Sequence, residues 1–181
     1  RFSIGVLPDT QFYSRYSTPE TGNLAQARYG SEPYLAQTQW LVDHQDELNM
    51  DFVPPLGDVV DQWNVEGEWQ VADKAMQVLD DSELNYSILP GNHDMDVEGA
   101  SAHPYDKWFS ADRAKAANPE TFQERYTAVN NDSEAHIFEA EGQKYLNLAL
   151  GWRADEKALA WAQGIIDKHP NLPVIVTSHE A

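Results

Sequence analysis

Apolar and polar positions change rhythm repeatedly along the chain, and each change marks an element. The run Phe2-Ser3-Ile4-Gly5-Val6-Leu7 sets apolar residues among small ones and stops at Pro8-Asp9, which predicts a buried strand ending in a turn. Glu32-Pro33 opens a helix carried by Leu35, Leu41, Val42 and Leu48, with the proline where the first turn tolerates it. Residues 52–56 predict a second strand, although Pro54 and Pro55 lack the backbone donors that a central strand needs. Trp69, Ala72, Met76 and Leu79 recur at helical spacing over 66–82, and the apolar stretch 86–89 predicts a strand closed by Pro90-Gly91. Farther on, 135–140 and 144–150 flank Gly142 as a hairpin, 156–168 has the spacing of a helix, and Val174-Ile175-Val176 forms a last strand.

Polar residues of a particular kind follow these strands. Asp9, Asp58, Asn92, His93 and His179 each stand just past a predicted strand, and open α/β sheets bind ligands at that carboxyl edge. In Gly57-Asp58-Val59-Val60-Asp61 the glycine permits a tight turn and Asp58 offers two oxygens able to bridge two cations. Gly91-Asn92-His93-Asp94 adds an amide oxygen, an imidazole and a carboxylate able to orient that imidazole. An isolated Asp after Gly is more often a turn residue, so the weight rests on the combination of motifs.

Composition narrows the chemistry. The 181 residues fit one domain, 1–181, with neither linker nor repeat. A formal charge of −18 disfavours nucleic acid and membrane surfaces as partners, because both attract Lys and Arg. Cysteine is absent, so any metal is held by oxygen and imidazole. No apolar run approaches the ~20 residues that span a bilayer. The chain opens directly on a strand pattern, as a trimmed mature form would, and contains Asn-x-Ser sequons at Asn85 and Asn131. A secreted or periplasmic location is the expectation.

Taken in order, Asp9, Gly57-Asp58-x-x-Asp61, Gly91-Asn92-His93-Asp94 and Ser178-His179 resemble the successive motifs of calcineurin-like metallophosphoesterases. Asp9-Thr10-Gln11 resembles a variant branch in which Gln replaces the usual His. The resemblance implies an α/β fold, a sandwich of β-sheets flanked by helices, and hydrolysis of a small phosphoester, monoester or diester. It implies two divalent metal ions (Mn, Fe, Zn or Mg): Asp9 and Gln11 at the first, Asp58 bridging, Asn92 and His179 at the second. His93 is then a catalytic group whose basicity Asp94 raises, and Asp61 a hydrogen-bond acceptor behind the ligands. Gln11 presents an amide oxygen where the family pattern has imidazole, so the first site is expected to be harder in character. The family completes its sites with a later Gly-His-x-His, so the C-terminal part of the domain is expected beyond Ala181. A domain that binds metal or phosphate without turnover is the alternative. Residues 13–30 and 94–104 are expected as substrate-selecting loops, and His44, His103, His136 and His169 as surface or packing residues.

Overall fold

The computed structural model describes residues 1–96, 104–128 and 131–180. Its first sheet is small. Strand β1 (Ser3–Ile4) is followed by α1 (Gln11–Tyr16), a 3-10 turn (Pro19–Thr21), α2 (Leu24–Tyr29), α3 (Pro33–Asp43) and α4 (Gln45–Leu48) before β2 (Met50–Phe52) returns parallel to β1. The expected strands 2–7, 52–56 and 86–89 shorten to these two, plus isolated parallel bridges joining Leu7 to Pro55 and Val53 to Tyr86. Pro54 and Pro55 explain the shortening, because neither can donate to a ladder. The bonds pass around the pair instead: Val53 donates to the Asn85 carbonyl at 2.9 Å and Leu56 to the Leu7 carbonyl at 3.0 Å. Three extended segments thus lie side by side and all aim their carboxyl ends at one edge.

Residues 13–30, expected as a loop, fold into α1, the 3-10 turn and α2. Asn23 stops and restarts the chain there, its side-chain oxygen accepting the Gln26 amide at 3.1 Å as an N-cap. The long helix α5 (Glu66–Asp80) buries Trp69, Ala72, Met76 and Leu79, the four positions that its spacing singles out, against Val53, Tyr86 and Ile88. Helix α3 packs along α5 on the same face of the first sheet.

Helices α6 (Tyr105–Trp108) and α7 (Ala111–Ala117) lead into a second sheet of order β3-β4-β5-β6: β3 (Phe122–Ala128), β4 (Asn131–Ala140), β5 (Gln143–Leu150) and β6 (Val174–Ser178). Strands β4 and β5 form the expected hairpin. Glu141 and Gly142 both have positive φ, 52° and 77°, as a two-residue turn matched to strand twist requires. Helix α8 (Glu156–Lys168) carries the chain from β5 to β6, which pairs parallel to β5. Asp155 caps it, accepting the Ala158 amide at 2.8 Å.

The two sheets face each other across Phe52 and Phe138, whose rings stack with centroids 4.7 Å apart, with Ile4, Ala140 and Ile175 around them. On the far side Ala162 and Ile165 of α8 cover Ala135, Leu146 and Leu148. The layers therefore run helix, sheet, sheet, helix, an α/β sandwich. Truncating a ring as enclosed as Phe52 costs ~3–5 kcal/mol, enough to threaten a domain of this size.

Strand β3 escapes the hydrophobic pattern because its buried side includes Arg125. That guanidinium pairs with Glu134, which also accepts the Ile88 amide at 3.1 Å and contacts His136 Nε2 at 2.8 Å. Burial alone pushes the Glu134 carboxyl up, but Arg125 and His136 overcome it and bring it down to about 2.

Candidate active site

The carboxyl edge of both sheets gathers the polar residues that end the strands. Asp58 is at the centre, 2% exposed, with φ of 46°. A short carboxylate residue tolerates that left-handed conformation better than most, and strained backbone of this kind collects at functional sites. Gly57 and Gly91 let the two loops touch: a β-carbon on Gly57 would lie 2.9 Å from the Gly91 nitrogen. The Asp58 carboxylate accepts the His93 amide at 2.9 Å, so the second motif is seated directly on the first.

Two sets of donors share the other Asp58 oxygen. On one side, Gln11 Nε2 donates to Asp9 Oδ2 at 2.8 Å and to Asp58 Oδ2 at 3.1 Å. On the other, His179 Nε2 stands 3.1 Å from Asn92 Oδ1 and 3.3 Å from Asp58 Oδ2. Asp9 also accepts the Gln11 amide at 3.1 Å, which ties it to the start of α1. Asp9, Gln11, Asp58, Asn92 and His179, scattered over the sequence, thus converge on one point.

His179 is aimed by its other nitrogen, Nδ1, which donates to the Leu56 carbonyl at 3.0 Å and leaves Nε2 facing the cluster. The Asp58 carboxylate, through its hydrogen bond and its charge, raises the imidazole to about 9 against the opposing effect of burial. His93 is held in the same way. Its Nδ1 donates to the Asp61 carbonyl at 2.7 Å, and its side chain remains 40% exposed.

Asp94 does something other than expected. Fully buried, it accepts backbone amides from Val59 at 3.1 Å, Val60 at 2.9 Å and Gly91 at 2.7 Å. The turn at Gly91 brings the carboxylate back onto its own loop, so it clamps the two motifs together, and the His93 imidazole takes its bond from Asp61. Burial lifts the Asp94 carboxyl to about 7, although three amides pull it down and Asp58 adds to the rise.

Several supporting residues carry no motif. Arg15, four positions after Gln11 and hence on the same side of α1, pairs with the Asp61 carboxylate. Glu68, in the first turn of α5, accepts the Asp61 and Gln62 amides at 2.7 and 2.9 Å. Burial raises its carboxyl. Helical spacing from Gln11 could have singled out Arg15, whereas a buried Glu in a first turn has no sequence mark. His44 stacks on Trp40, His136 is buried beside Glu134 and His169 ends α8; His103 and most of the expected loop 94–104 lie outside the described residues.

Among the described residues no three His, Cys, Asp or Glu side chains form a metal cluster on their own. The donor set here is mixed, because two of its five members are the amides Gln11 and Asn92. It nevertheless fits a hard divalent cation. Gln11 Oε1 is buried with no hydrogen-bond partner, and a half-turn of the amide exchanges it with Nε2 beside Asp9 and Asp58. A cavity of about 840 Å³ lies elsewhere, at the opposite ends of the strands between Asp51, Glu83, Glu139 and Lys144. It contains none of the cluster residues.

This architecture is that of a phosphoesterase family. The profile described as calcineurin-like phosphoesterase matches residues 2–181, and the chain belongs to that family, whose members generally use divalent metal ions. Among curated proteins it is similar to the uncharacterized protein YvnB of Bacillus subtilis (strain 168), with 30% identity over 176 residues. The match takes in 96% of this chain but 12% of that relative, so the chain spans about an eighth of its length.

Proposed function

We propose that the protein hydrolyses a small phosphomonoester or phosphodiester with two divalent cations, Asp9, Gln11 and Asp58 holding one and Asp58, Asn92 and His179 the other. The observation that carries this reading is the sharing of Asp58 Oδ2 between two donor sets. Cations bound there supply Lewis acidity toward a phosphoryl group. Asp58 and Asp9 bring the negative charge that holds them, and His179, its Nδ1 committed to Leu56, offers Nε2 once deprotonated.

His93 is the proton-transfer group. With Nδ1 fixed on the Asp61 carbonyl, Nε2 has no partner among the described residues and is available to protonate the oxygen that leaves as the P–O bond breaks. Asp61, braced by Arg15 and Glu68, sets the direction of that ring, and Asp94 fixes the distance between the Asp58 and His93 loops. The net charge of −18 favours a small substrate over a nucleic acid.

A second reading, binding of metal or phosphate without turnover, draws on Gln11, whose amide hydrogens rather than a lone pair face the two carboxylates. Calorimetric titration with manganese, zinc and magnesium, paired with turnover of a phosphomonoester and a phosphodiester, separates the two. Metal binding with hydrolysis supports the enzyme, and metal binding with none supports the binding domain.

A further inference from the structure

Helix α1 has two working sides. Gln11 and Arg15 face the Asp58 cluster, while Phe12 and Tyr16, one position later in each case and so turned by ~100°, face α2. The Phe12 and Tyr16 rings lie 6.0 Å apart and, with Tyr13, Leu24, Tyr29 and Pro33, line a groove of about 490 Å³. Its walls are unusually open for apolar residues: Phe12 and Leu24 are each 52% exposed and Tyr29 is 64% exposed. Arg28 completes the lining, its guanidinium 5.4 Å from the centre of the Tyr29 ring, and no carboxylate pairs with it among the described residues.

These features suit a small ligand. The volume is that of a small-molecule site, and aromatic walls recognise a flat ring by stacking and edge contacts. A chain of charge −18 with a single arginine in the groove is poorly matched to an anionic membrane, and the guanidinium there is a donor for a polar atom at the edge of a bound ring. The groove lies beside the candidate active site rather than within it: Gln11 and Phe12 are consecutive in the first turn of α1, and the helix between the two sides is ~10 Å across. A phosphoester whose phosphoryl group sits at Asp58 would reach the groove by passing its organic part over the first turn of α1.

We infer that the α1–α2 groove is a subsite for a planar aromatic group carried by the phosphoester, with Arg28 at its edge available to donate to an acceptor on that group. This rests on the phosphoester reading of the Asp58 cluster. The source of the ring, a simple aryl ester or a nucleoside, is separated by the choice of probe.

The test is equilibrium binding of the non-hydrolysable probes methylphosphonate, phenylphosphonate and the methylphosphonate ester of adenosine to the manganese-loaded protein by calorimetry. The expected result is at least one aromatic probe bound about tenfold more tightly than methylphosphonate, the preference falling to about unity in Phe12→Ala and Tyr29→Ala while methylphosphonate affinity is unchanged. Both replaced side chains are more than half exposed, so their loss should leave the circular dichroism spectrum and melting temperature intact. Equal affinity for all three probes, or a preference that survives both substitutions, overturns the subsite and leaves the phosphoester reading standing. Failure of every phosphonate to bind overturns both.

Discussion

Gly91 is packed so tightly against Asp58 that a β-carbon in its place would lie 2.1 Å from the carboxylate oxygen and 2.4 Å from the backbone nitrogen. Nothing at those distances can yield except the loop itself. Gly91→Ala is expected to destabilise the fold by ~1–3 kcal/mol and to weaken divalent-metal affinity at the same time. Urea unfolding and metal titration of the variant check this, and an unchanged metal affinity would mean that the approach of the two loops does not set the site.

Asp58→Asn keeps the shape of the side chain and removes its charge. Since both donor sets meet at this carboxylate, metal content and phosphoesterase turnover should fall together. Elemental analysis beside an activity assay decides it: two ions retained per chain would refute the shared role.

His93→Ala should behave differently. The imidazole is anchored by the Asp61 carbonyl rather than by the carboxylate of Asp58, so metal content should hold while turnover drops ~10² to 10⁴-fold. Loss of bound metal in this variant would make His93 a ligand.

Gln11→His exchanges an amide for an imidazole beside Asp9 and Asp58. Competition among manganese, zinc and iron should then shift toward zinc and iron, because nitrogen is the softer donor. A preference that does not move would show Gln11 to be outside the metal site.

Acid sensitivity follows from Glu134. In the folded chain its carboxyl is brought from an ordinary 4.5 down to about 2, so the unfolded chain takes up a proton first as pH falls. The stability it contributes is complete above pH 4.5 and is lost as the pH drops through 2. Asp132, raised by burial to about 6, acts with the opposite sign, its contribution fading as pH rises toward and past 6. Urea midpoints of wild type and Glu134→Gln between pH 2 and 7 isolate the first effect: the variant should be weaker throughout, with a flatter acid limb. An unaltered slope would contradict the assignment.

Much of this was legible in the sequence where burial is one-sided. The Trp69, Ala72, Met76, Leu79 stripe gave α5, and Gly142 between two alternating runs gave the hairpin, since each pattern has one physical solution. The strands of the first sheet were overextended, because hydrophobicity alone does not say where Pro54 and Pro55 interrupt the bonding. Strand β3 was missed for the converse reason: Arg125 is buried through a partner, Glu134, that no local pattern announces. In the site, spacing past strand ends located the cluster. Adjacency in the sequence predicts contact between Asp94 and His93, whereas Asp94 takes the Val59, Val60 and Gly91 amides and the His93 ring takes the Asp61 carbonyl.

The bond from His179 to the Leu56 carbonyl joins positions 123 residues apart and links the last strand of one sheet to the end of another. Closing so long a loop is slow relative to forming the local α3–β2 and β4–β5 units, whose partners are near neighbours in sequence. The cluster is therefore completed only when the two sheets have docked. In a refolding experiment, uptake of a divalent cation should lag behind the recovery of helical and sheet signals and report the final assembly step. Divalent-cation uptake at the proposed site would then be a kinetic marker of native topology, and a chain misfolded in its second half would be identified by an otherwise ordered first sheet that cannot hold the ion.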